Sequence, residues 1–581
     1  MRMSRLGVGG SLLAAALVFC ASAGADEVPA VDMADTVLLN GKFLRFDAAP
    51  AQALALRDGR ITAIGTNAQI RKLVAPQSRV IDLAGRSVIP GLIDSHIHAI
   101  RAGLTYGTEV DWIGARSLPE ALARLRDAAR TRPKGTWLVV AGGWTEMQFA
   151  ERRRPSQAEV AAAAPDHHVY IQRLYTAVLF SPGAFEALGV LRWPELASRL
   201  KIEADTAGQP TGWFSGDART VSDLYDLLPQ PDHAAQMAGT RAFFRQLNSM
   251  AVTGVIDPGG YNMPVSSYAA LFDLWRRRGL TLRVAYSVCA PRRDTELEDL
   301  QTLTALLPMG AGDDWLRFNG IGENVVWEMY NNDAPSDAAR ARLARVLRWA
   351  AAQQLTATFH WNNNRSVDHL LRVIEEVNHE RQAGTLAAPP AASPLRPLRW
   401  SIAHLNDASV ESLRRMQALG LGWLVQNALY FRGEEFVQQH GNAAVREMPR
   451  IGEALRRGVP VGAGTDAHRV MSYNPFAALQ WMLDGKTVAG ASTRGPEALL
   501  TRTQALRLYT EGSAWFAHDE ARRGALEPGR LADLAVLSGD YLDAPVAELG
   551  RLRSLLTMVG GRIVYASDEY APLEERSGGG R

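Results

Sequence analysis

Short apolar stretches alternate with helix-length segments through the middle of this 581-residue chain. Such repetition is typical of parallel sheets and barrels, in which a helix follows and covers each strand. Eight stretches are predicted to hold strands, within 88–98, 254–257, 282–289, 316–323, 356–360, 398–404, 422–426 and 459–466. A count of eight predicts an α/β fold with a TIM (β/α)8 barrel, whose functional groups lie at the carboxyl ends of the strands.

Both ends of the chain are predicted to be rich in β structure. Asp58-Gly59 fits the turn of a hairpin at 53–65, and a second hairpin is expected at 554–566. We expect the two ends to pair into one small sheet domain. The expected limits are a leader at 1–25, sheet-domain parts at 26–87 and 525–576, a barrel domain at 88–524 with an insertion at 102–249, and a disordered tail at 577–581.

The first 25 residues have the features of a secretory signal peptide. Arg2 and Arg5 precede an apolar stretch at 12–19, and small residues precede Asp26. A membrane anchor is the alternative, but the apolar stretch is short for a membrane span. We therefore expect a periplasmic or secreted protein with no stable membrane anchor after cleavage.

Cysteine content and net charge narrow the class of protein. Without the leader, Cys289 is the only cysteine left, so no disulfide can form within one chain. A chain of this length buries enough core without one. The formal net charge is +2, with both signs mixed, which argues against a nucleic-acid partner because that partner would require a basic stripe. A small-molecule substrate is expected, and the oligomeric state, a homo-oligomer included, stays open.

A His-x-His motif closes the first predicted barrel strand. Because side chains alternate along a strand, His96 and His98 would leave the same face and form half of a metal site. Four later predicted strands also end in a residue able to bind a metal, namely Glu323, His360, His404 and Asp466. This mixture of imidazole and carboxylate suits Zn²⁺, and also Mn²⁺, Fe²⁺ or Co²⁺.

The ligand set indicates hydrolytic chemistry. A divalent metal lowers the pKa of a bound water and polarises a carbonyl group. Asp466 can then accept the proton of that water and pass it to the leaving group. Three other interpretations stay open at this stage: a different hydrolysis or deamination, a binding protein without turnover, and a purely structural metal.

Two longer motifs resemble those of a known family. The sequence VIPGLIDSHIH at 88–98 is similar to the opening motif of the amidohydrolase superfamily, and GALEPGRLADLAVL at 524–537 is similar to its closing motif. The chain most resembles the amidohydrolase-3 branch, which includes N-substituted formamide deformylase-like enzymes. The resemblance implies a (β/α)8 barrel, a β-sandwich built from both chain ends, and metal-dependent cleavage of an amide-type C–N bond. It assigns His96, His98, His360, His404 and Asp466 to the metal site.

The chain departs from this family pattern in two places. Many relatives bridge two metals with a carboxylated lysine, but this chain has no lysine between Lys201 and Lys486. Glu323 is placed to supply the two bridging oxygens instead, so we expect two metal ions, with one as the alternative. After the fifth strand the branch usually has His-Ala-x-Gly-Asp-Arg, whereas residues 360–365 are His-Trp-Asn-Asn-Asn-Arg.

Six further residues are candidates for the reaction or for substrate binding. Tyr175 is placed to donate to a carbonyl oxygen or its oxyanion, and His468 to orient the substrate or a ligand. The candidate substrate contacts are Trp144, which resembles a Gly-Trp segment of the branch, together with Trp361, Asn406 and Arg469. A structural role is the alternative for each of them.

Overall fold

The computed structural model describes residues 33–260, 263–386 and 396–574. The predicted leader at 1–25 and the predicted tail at 577–581 lie outside the described residues. Within that part of the chain, no helix is both long and apolar enough to cross a lipid bilayer.

The strands fall into four groups along the chain. The first group is β1 (Ala34–Leu39), β2 (Lys42–Phe43), β3 (Ala53–Arg57), β4 (Arg60–Gly65), β5 (Val74–Asp82) and β6 (Ser87–Pro90). After β7 (Leu92–Asp94) come β8 (Trp137–Val140), β9 (His168–Arg173), β10 (Ala177–Phe180), β11 (Lys201–Ala204) and β12 (Pro210–Ser215). The central strands are β13 (Val252–Asp257), β14 (Arg283–Val288), β15 (Leu316–Ile321), β16 (Thr358–Trp361), β17 (Ser401–His404), β18 (Gly422–Gln426) and β19 (Val461–Gly464). The last group is β20 (Leu534–Leu537), β21 (Ser554–Val559) and β22 (Arg562–Ala566).

The helices mostly separate these strands. The first ten are α1 (Asn67–Ile70), α2 (Ala99–Thr105), α3 (Leu118–Thr131), α4 (Gln157–Ala163), α5 (Ala184–Leu188), α6 (Pro194–Arg199), α7 (Ala218–Asp226), α8 (His233–Ser249), α9 (Ala269–Arg276) and α10 (Glu296–Thr304). The others are α11 (Asp337–Ala352), α12 (Asn364–Gln382), α13 (Val410–Leu419), α14 (Ala428–His440), α15 (Asn442–Val445), α16 (Ile451–Arg457), α17 (Pro475–Asp484), α18 (Arg502–Arg507) and α19 (Ser513–Phe516).

Two four-stranded parallel sheets occupy the centre of the protein. Their strand orders are β7-β13-β14-β15 and β16-β17-β18-β19, so a strand lies at each of the eight predicted positions. Hydrogen bonds also run between the sheets: Ile321 N donates to Thr356 O at 2.9 Å, and Ser95 N donates to Ala463 O at 3.0 Å. The first strand is shorter than predicted, because β7 ends at Asp94 and residues 95–96 form a bend.

Local sequence explains why the outer helices form where they do. The Ser336 hydroxyl accepts a hydrogen bond from Ala339 N at 3.1 Å and caps the start of α11. Along α11, Leu343, Leu347 and Ala351 are buried at intervals of four residues, which places them on one face of the helix. That face joins the same hydrophobic cluster as the parallel strands.

The two chain ends contribute to one sheet, as their patterns predict. Its order, β2-β6-β20-β21-β22, combines strands from the start and the end of the described chain. A second sheet, β4-β3-β1-β5, shares a hydrophobic cluster with it, in which Leu54 and Ile81 pack with Val536 and Leu556. The sequence segments at both termini therefore enclose a common small core.

The region between the first two parallel strands carries its own sheet. Its order is β11-β12-β10-β9-β8. The segment rich in proline and glycine near residue 210 forms β12, which pairs with both β10 and β11. Trp112 and Trp144 are fully buried in the core of this region.

Candidate metal centre

The six predicted metal ligands lie together at the carboxyl ends of the parallel strands. His360 and His404 belong to β16 and β17, while Glu323 and Asp466 lie two residues beyond β15 and β19. The backbones of His404 and Asp466 have positive φ values of 71° and 54°, which are uncommon for residues other than glycine. Such conformations are concentrated at functional sites.

Glu323 occupies the middle of this group. Its Oε2 lies 3.3 Å from His96 Nε2 and 2.8 Å from His360 Nδ1. Its Oε1 lies 3.4 Å from His98 Nε2. The two oxygens thus face different histidines, which is the arrangement needed for a carboxylate that bridges two ions.

Asp466 approaches the same histidines from the opposite sheet. Its Oδ1 lies 3.2 Å from His98 Nε2 and 3.6 Å from His96 Nε2. Its Oδ2 lies 3.9 Å from His404 Nδ1. Both carboxylates are therefore within reach of any cation held between the imidazole rings.

The ring of His96 supports a cation at this position. His96 is fully buried, and neither of its ring nitrogens has a hydrogen-bond partner among the described residues. A buried polar group without a partner is costly, so a metal ion is the natural partner for it. Three overlapping groups of ligand atoms converge closely enough to hold an ion: His96 with His98 and Glu323, His96 with His404 and Asp466, and Glu323 with His360 and His404.

Contacts outside the ligand set fix the orientation of two rings. His98 Nδ1 lies 2.8 Å from the carbonyl oxygen of Gly259, which leaves Nε2 directed at the carboxylates. His360 Nε2 lies 2.6 Å from the hydroxyl of Tyr330, so that Nδ1 faces Glu323. The available nitrogen of each ring therefore points into the centre.

The electrostatics of the centre also favour a cation. Burial by itself would raise the pKa of Glu323 and of Asp466, but the neighbouring histidines hold both pKa values well below the usual range. Burial opposes protonation of His96, yet the two carboxylates outweigh it and raise its pKa to about 10. Positive charge is thus strongly stabilised at the point where the ligands meet.

Asp94 fixes the backbone beside the metal centre. It was not among the functional residues predicted from the sequence. Its Oδ1 accepts hydrogen bonds from His96 N at 3.1 Å and Thr465 N at 3.0 Å. The Thr465 hydroxyl donates to its Oδ2 at 2.6 Å. Gly464 allows this approach, because a Cβ there would lie only 2.6 Å from His96 N. The position of Asp94 two residues before the His-x-His motif was the available signal.

A cavity of about 480 Å³ opens above the metal ligands. Of the six further candidates for the reaction or for substrate binding, two line it, Tyr175 and Asn406. The Tyr175 hydroxyl and Asn406 Oδ1 are both buried and have no hydrogen-bond partner among the described residues. Both groups are therefore available to a bound molecule.

Two predicted substrate contacts lie elsewhere. Trp144 is fully buried, stacks with Phe149 at 5.5 Å between ring centroids, and donates its Nε1 to Gln172 O at 2.8 Å. Trp361 is buried as well and donates its Nε1 to the Ser366 hydroxyl at 2.8 Å. Neither lines the 480 Å³ cavity, because both indoles are used in the hydrophobic core.

His468 and Arg469 are also outside the lining of this cavity. His468 Nε2 lies 2.6 Å from Glu109 Oε2, and both side chains are buried. The guanidinium of Arg469 stacks on the ring of Tyr225 at 3.5 Å. These residues join the segment after β19 to the inserted region, so the structural alternative describes them better than a catalytic or substrate-binding role.

Comparison with known proteins agrees with this geometry. The model of the amidohydrolase family matches residues 79–565. This chain belongs to the amidohydrolase family. Over 557 residues it is 24% identical to the N-substituted formamide deformylase of Arthrobacter pascens, a match that covers 92% of this chain and 98% of the relative.

Solved structures of two hydrolases share the fold. A metal-dependent hydrolase from Pyrococcus horikoshii superposes with a TM-score of 0.62 at 20% identity, covering 88% of this chain and 99% of that chain. The atrazine chlorohydrolase of Arthrobacter aurescens, solved in complex with zinc, gives a TM-score of 0.52 at 16% identity, covering 91% of this chain and 95% of that chain. The resemblance found in the two sequence motifs is therefore confirmed over most of the chain.

Proposed function

We propose that this amidohydrolase cleaves an amide-type C–N bond in a small molecule, using two divalent metal ions that are bridged by Glu323. The observation that carries the proposal is the position of Glu323 between His96, His98 and His360. The name of the Arthrobacter pascens relative, a formamide deformylase, supports an amide over an ester or lactone. Zinc is the first choice of metal, supported by the ligand types and by the zinc complex of the atrazine chlorohydrolase.

We also propose that the eight parallel strands close into a TIM barrel and that the two sheets of the chain ends form a β-sandwich. Hydrogen bonds between β15 and β16 and between β7 and β19 support closure of the ring. The hydrophobic cluster shared by the two terminal sheets supports the sandwich. The domain limits given above and export to the periplasm or medium belong to the same proposal.

The residues of the chain divide the reaction between them. Bound divalent ions supply Lewis acidity and make water more acidic. Asp466 accepts a proton from the attacking water and delivers it to the leaving nitrogen. The hydroxyl of Tyr175 donates to the substrate carbonyl oxygen as negative charge develops there. Glu323 holds its neighbouring histidines in place throughout.

Elemental analysis followed by a substrate panel tests the proposal. Two equivalents of zinc and hydrolysis of N-formyl and N-acyl compounds are expected, with activity lost to a chelator and restored by Zn²⁺. Turnover of esters, lactones or amino-heterocycles alone would assign the protein to another reaction of the family. Metal binding without turnover of any compound would favour a binding protein.

A further inference from the structure

Two arginines on one side of the cavity have no carboxylate partner. Arg101 lies on α2, three residues after His98, and is half-buried. Arg293 follows β14 at the cavity mouth, where its guanidinium lies 5.9 Å from the ring of Trp327. Among the residues that the structure describes, no Asp or Glu forms an ion pair with either arginine. Both arginines line the cavity, and the buried carboxyl of Asp257 feels the charge of Arg101 without pairing with it.

Arg101 is close to the metal centre. A Cβ atom added to Gly260 would lie 3.2 Å from His98 Nδ1 and 3.5 Å from Arg101 Nη1. One small side chain would therefore contact both the ligand ring and the guanidinium. A substrate whose amide lies at the metal centre could reach Arg101 with a group only a few bonds away.

The other arginines of the cavity have acidic neighbours. Arg432 Nε lies 2.8 Å from Glu435 Oε2, and Arg219 Nε lies 3.8 Å from Asp223 Oδ2. The two sides of the cavity thus differ in charge. Among the described residues of the lining, the guanidinium groups that form no ion pair come from α2 and from the loop after β14.

A partly desolvated guanidinium without a partner is unfavourable, whereas one that binds a carboxylate makes charge-assisted, often paired hydrogen bonds. Arginine is suited to this task because its planar donors match the two oxygens of a carboxylate. Phe431, Phe436 and Trp327 add apolar and aromatic surface to the lining. The cavity therefore combines a cation near the metal ligands with apolar walls.

We propose that Arg101 binds a carboxylate group of the substrate, and that the protein hydrolyses amides of anionic, partly apolar molecules. This inference rests on the proposed function for the reacting bond, and it adds the chemical class of the substrate. Arg293 assists at the mouth by attracting the anion. The binding contribution of Arg101 predicts that removal of the substrate carboxylate reduces kcat/KM about 10- to 100-fold.

Two formamides that differ only in the carboxylate provide the test. N-Formylphenylalanine and N-formyl-2-phenylethylamine carry the same scissile bond and the same ring. The metal-loaded protein is expected to prefer the first, mainly through a lower KM. In Arg101→Gln the preference should vanish while turnover of the neutral compound is retained, and Arg101→Lys should restore part of it. Arg219→Gln, which changes an arginine that has an acidic neighbour, serves as the matched control.

An equilibrium measurement makes the test independent of turnover. Titration calorimetry with 3-phenylpropanoate and 3-phenylpropan-1-ol compares a carboxylate with a neutral isostere in the metal-loaded wild type and in Arg101→Gln. Tighter binding of the carboxylate to the wild type alone supports the proposal, even if neither formamide is hydrolysed and the proposed function fails. Equal binding of both compounds to the wild type, or carboxylate binding unchanged in Arg101→Gln, overturns it. Metal content and melting temperature confirm that each variant is folded.

Discussion

The two ends of the parallel strands use buried charge in opposite ways. At the amino-terminal ends, Arg283 binds Asp533 through two hydrogen bonds of 2.8 and 3.0 Å, and Arg523 Nε lies 3.2 Å from the same carboxylate. At the carboxyl ends, Glu323 and Asp466 face only histidines among the described residues. The carboxylate at the amino-terminal ends is neutralised by arginines of the protein. The carboxylates at the carboxyl ends leave negative charge that an added cation would balance.

Because of this difference, we expect the charged groups at the amino-terminal ends to affect stability and those at the carboxyl ends to affect function. The charged groups at the amino-terminal ends fill the space between the strands, and Gly254 makes room for them, since a Cβ there would lie 1.9 Å from Arg523 Nη2. The balance of charge between Asp533 and its two arginines stabilises the fold. At the carboxyl ends, two buried carboxylates lie close together, which is unfavourable unless a bound ion balances their charge. Variants at the two ends should consequently fail in different assays.

The largest effect is expected for Asp466→Asn. This change removes the proton acceptor and one carboxylate ligand, so kcat should fall about 100- to 10,000-fold. Steady-state kinetics on any hydrolysed formamide provide the measurement, with thermal unfolding as the check on folding. Asp407→Asn, which changes another carboxylate of the cavity, should leave kcat close to that of the wild type. Full activity in Asp466→Asn would refute the assigned role.

Asp533→Asn should act on stability instead. It leaves Arg283 buried without its carboxylate and Arg523 with Asp519 alone, and loss of one partner of a buried pair costs about 3–5 kcal/mol. Denaturant unfolding measures this loss. Asp540→Asn is the control, because the half-exposed pair of Asp540 with Lys42 should contribute less than about 1 kcal/mol. A loss of bound metal from folded Asp533→Asn would contradict the separation of the two ends.

Tyr175→Phe tests whether the inserted region contributes a reacting group beside the metal centre. Loss of the hydroxyl that faces the cavity should lower kcat about 100-fold, with a smaller change in KM. Trp144→Phe is the contrasting variant, because Trp144 lies in the core of the same region; it should lower the unfolding temperature and leave KM unaltered. If Tyr175→Phe changed only the unfolding temperature and Trp144→Phe lowered kcat, the roles of the two residues would be exchanged.

The smallest effect concerns acid stability at the amino-terminal ends. Burial, followed by the charges of Arg399 and Arg317, lowers the pKa of His518 to about 4. The unfolded chain protonates His518 near pH 6.5, so stability should decline as the pH falls from about 6.5 to about 4. His518→Gln should remove this contribution. Unfolding of metal-free wild type and variant across this range measures it, and identical pH profiles would argue against the shift.

Much of the fold could be predicted, because strand and helix periodicities differ and the eight apolar stretches are well separated. The six predicted ligand residues lie together for the same reason, since the carboxyl ends of parallel strands meet at one rim. The remaining contacts depend on tertiary packing. Whether an indole such as Trp361 faces a cavity or the core is decided by neighbours distant in the sequence, and so is the pairing of His468 with Glu109.

Arg101 was missed for a different reason. It follows His98 by three residues, but what distinguishes it is that no carboxylate of the described residues forms an ion pair with it. This can be seen only in the three-dimensional structure. Arg469 was a candidate substrate contact from the sequence, and its guanidinium stacks on Tyr225. Sequence spacing brought the predicted ligand residues together more reliably than it placed the predicted substrate contacts at the cavity.

The ligand set is divided evenly between the two parallel sheets. His96, His98 and Glu323 follow strands of the first sheet, whereas His360, His404 and Asp466 belong to the second. Of the three groups of ligand atoms that converge, one lies wholly within the first sheet and two combine residues of both sheets. An ion held by either of those two groups would link the sheets across a seam. Metal loading at these groups would then require both sheets, and chelation would loosen the junction between the sheets before it unfolds either one.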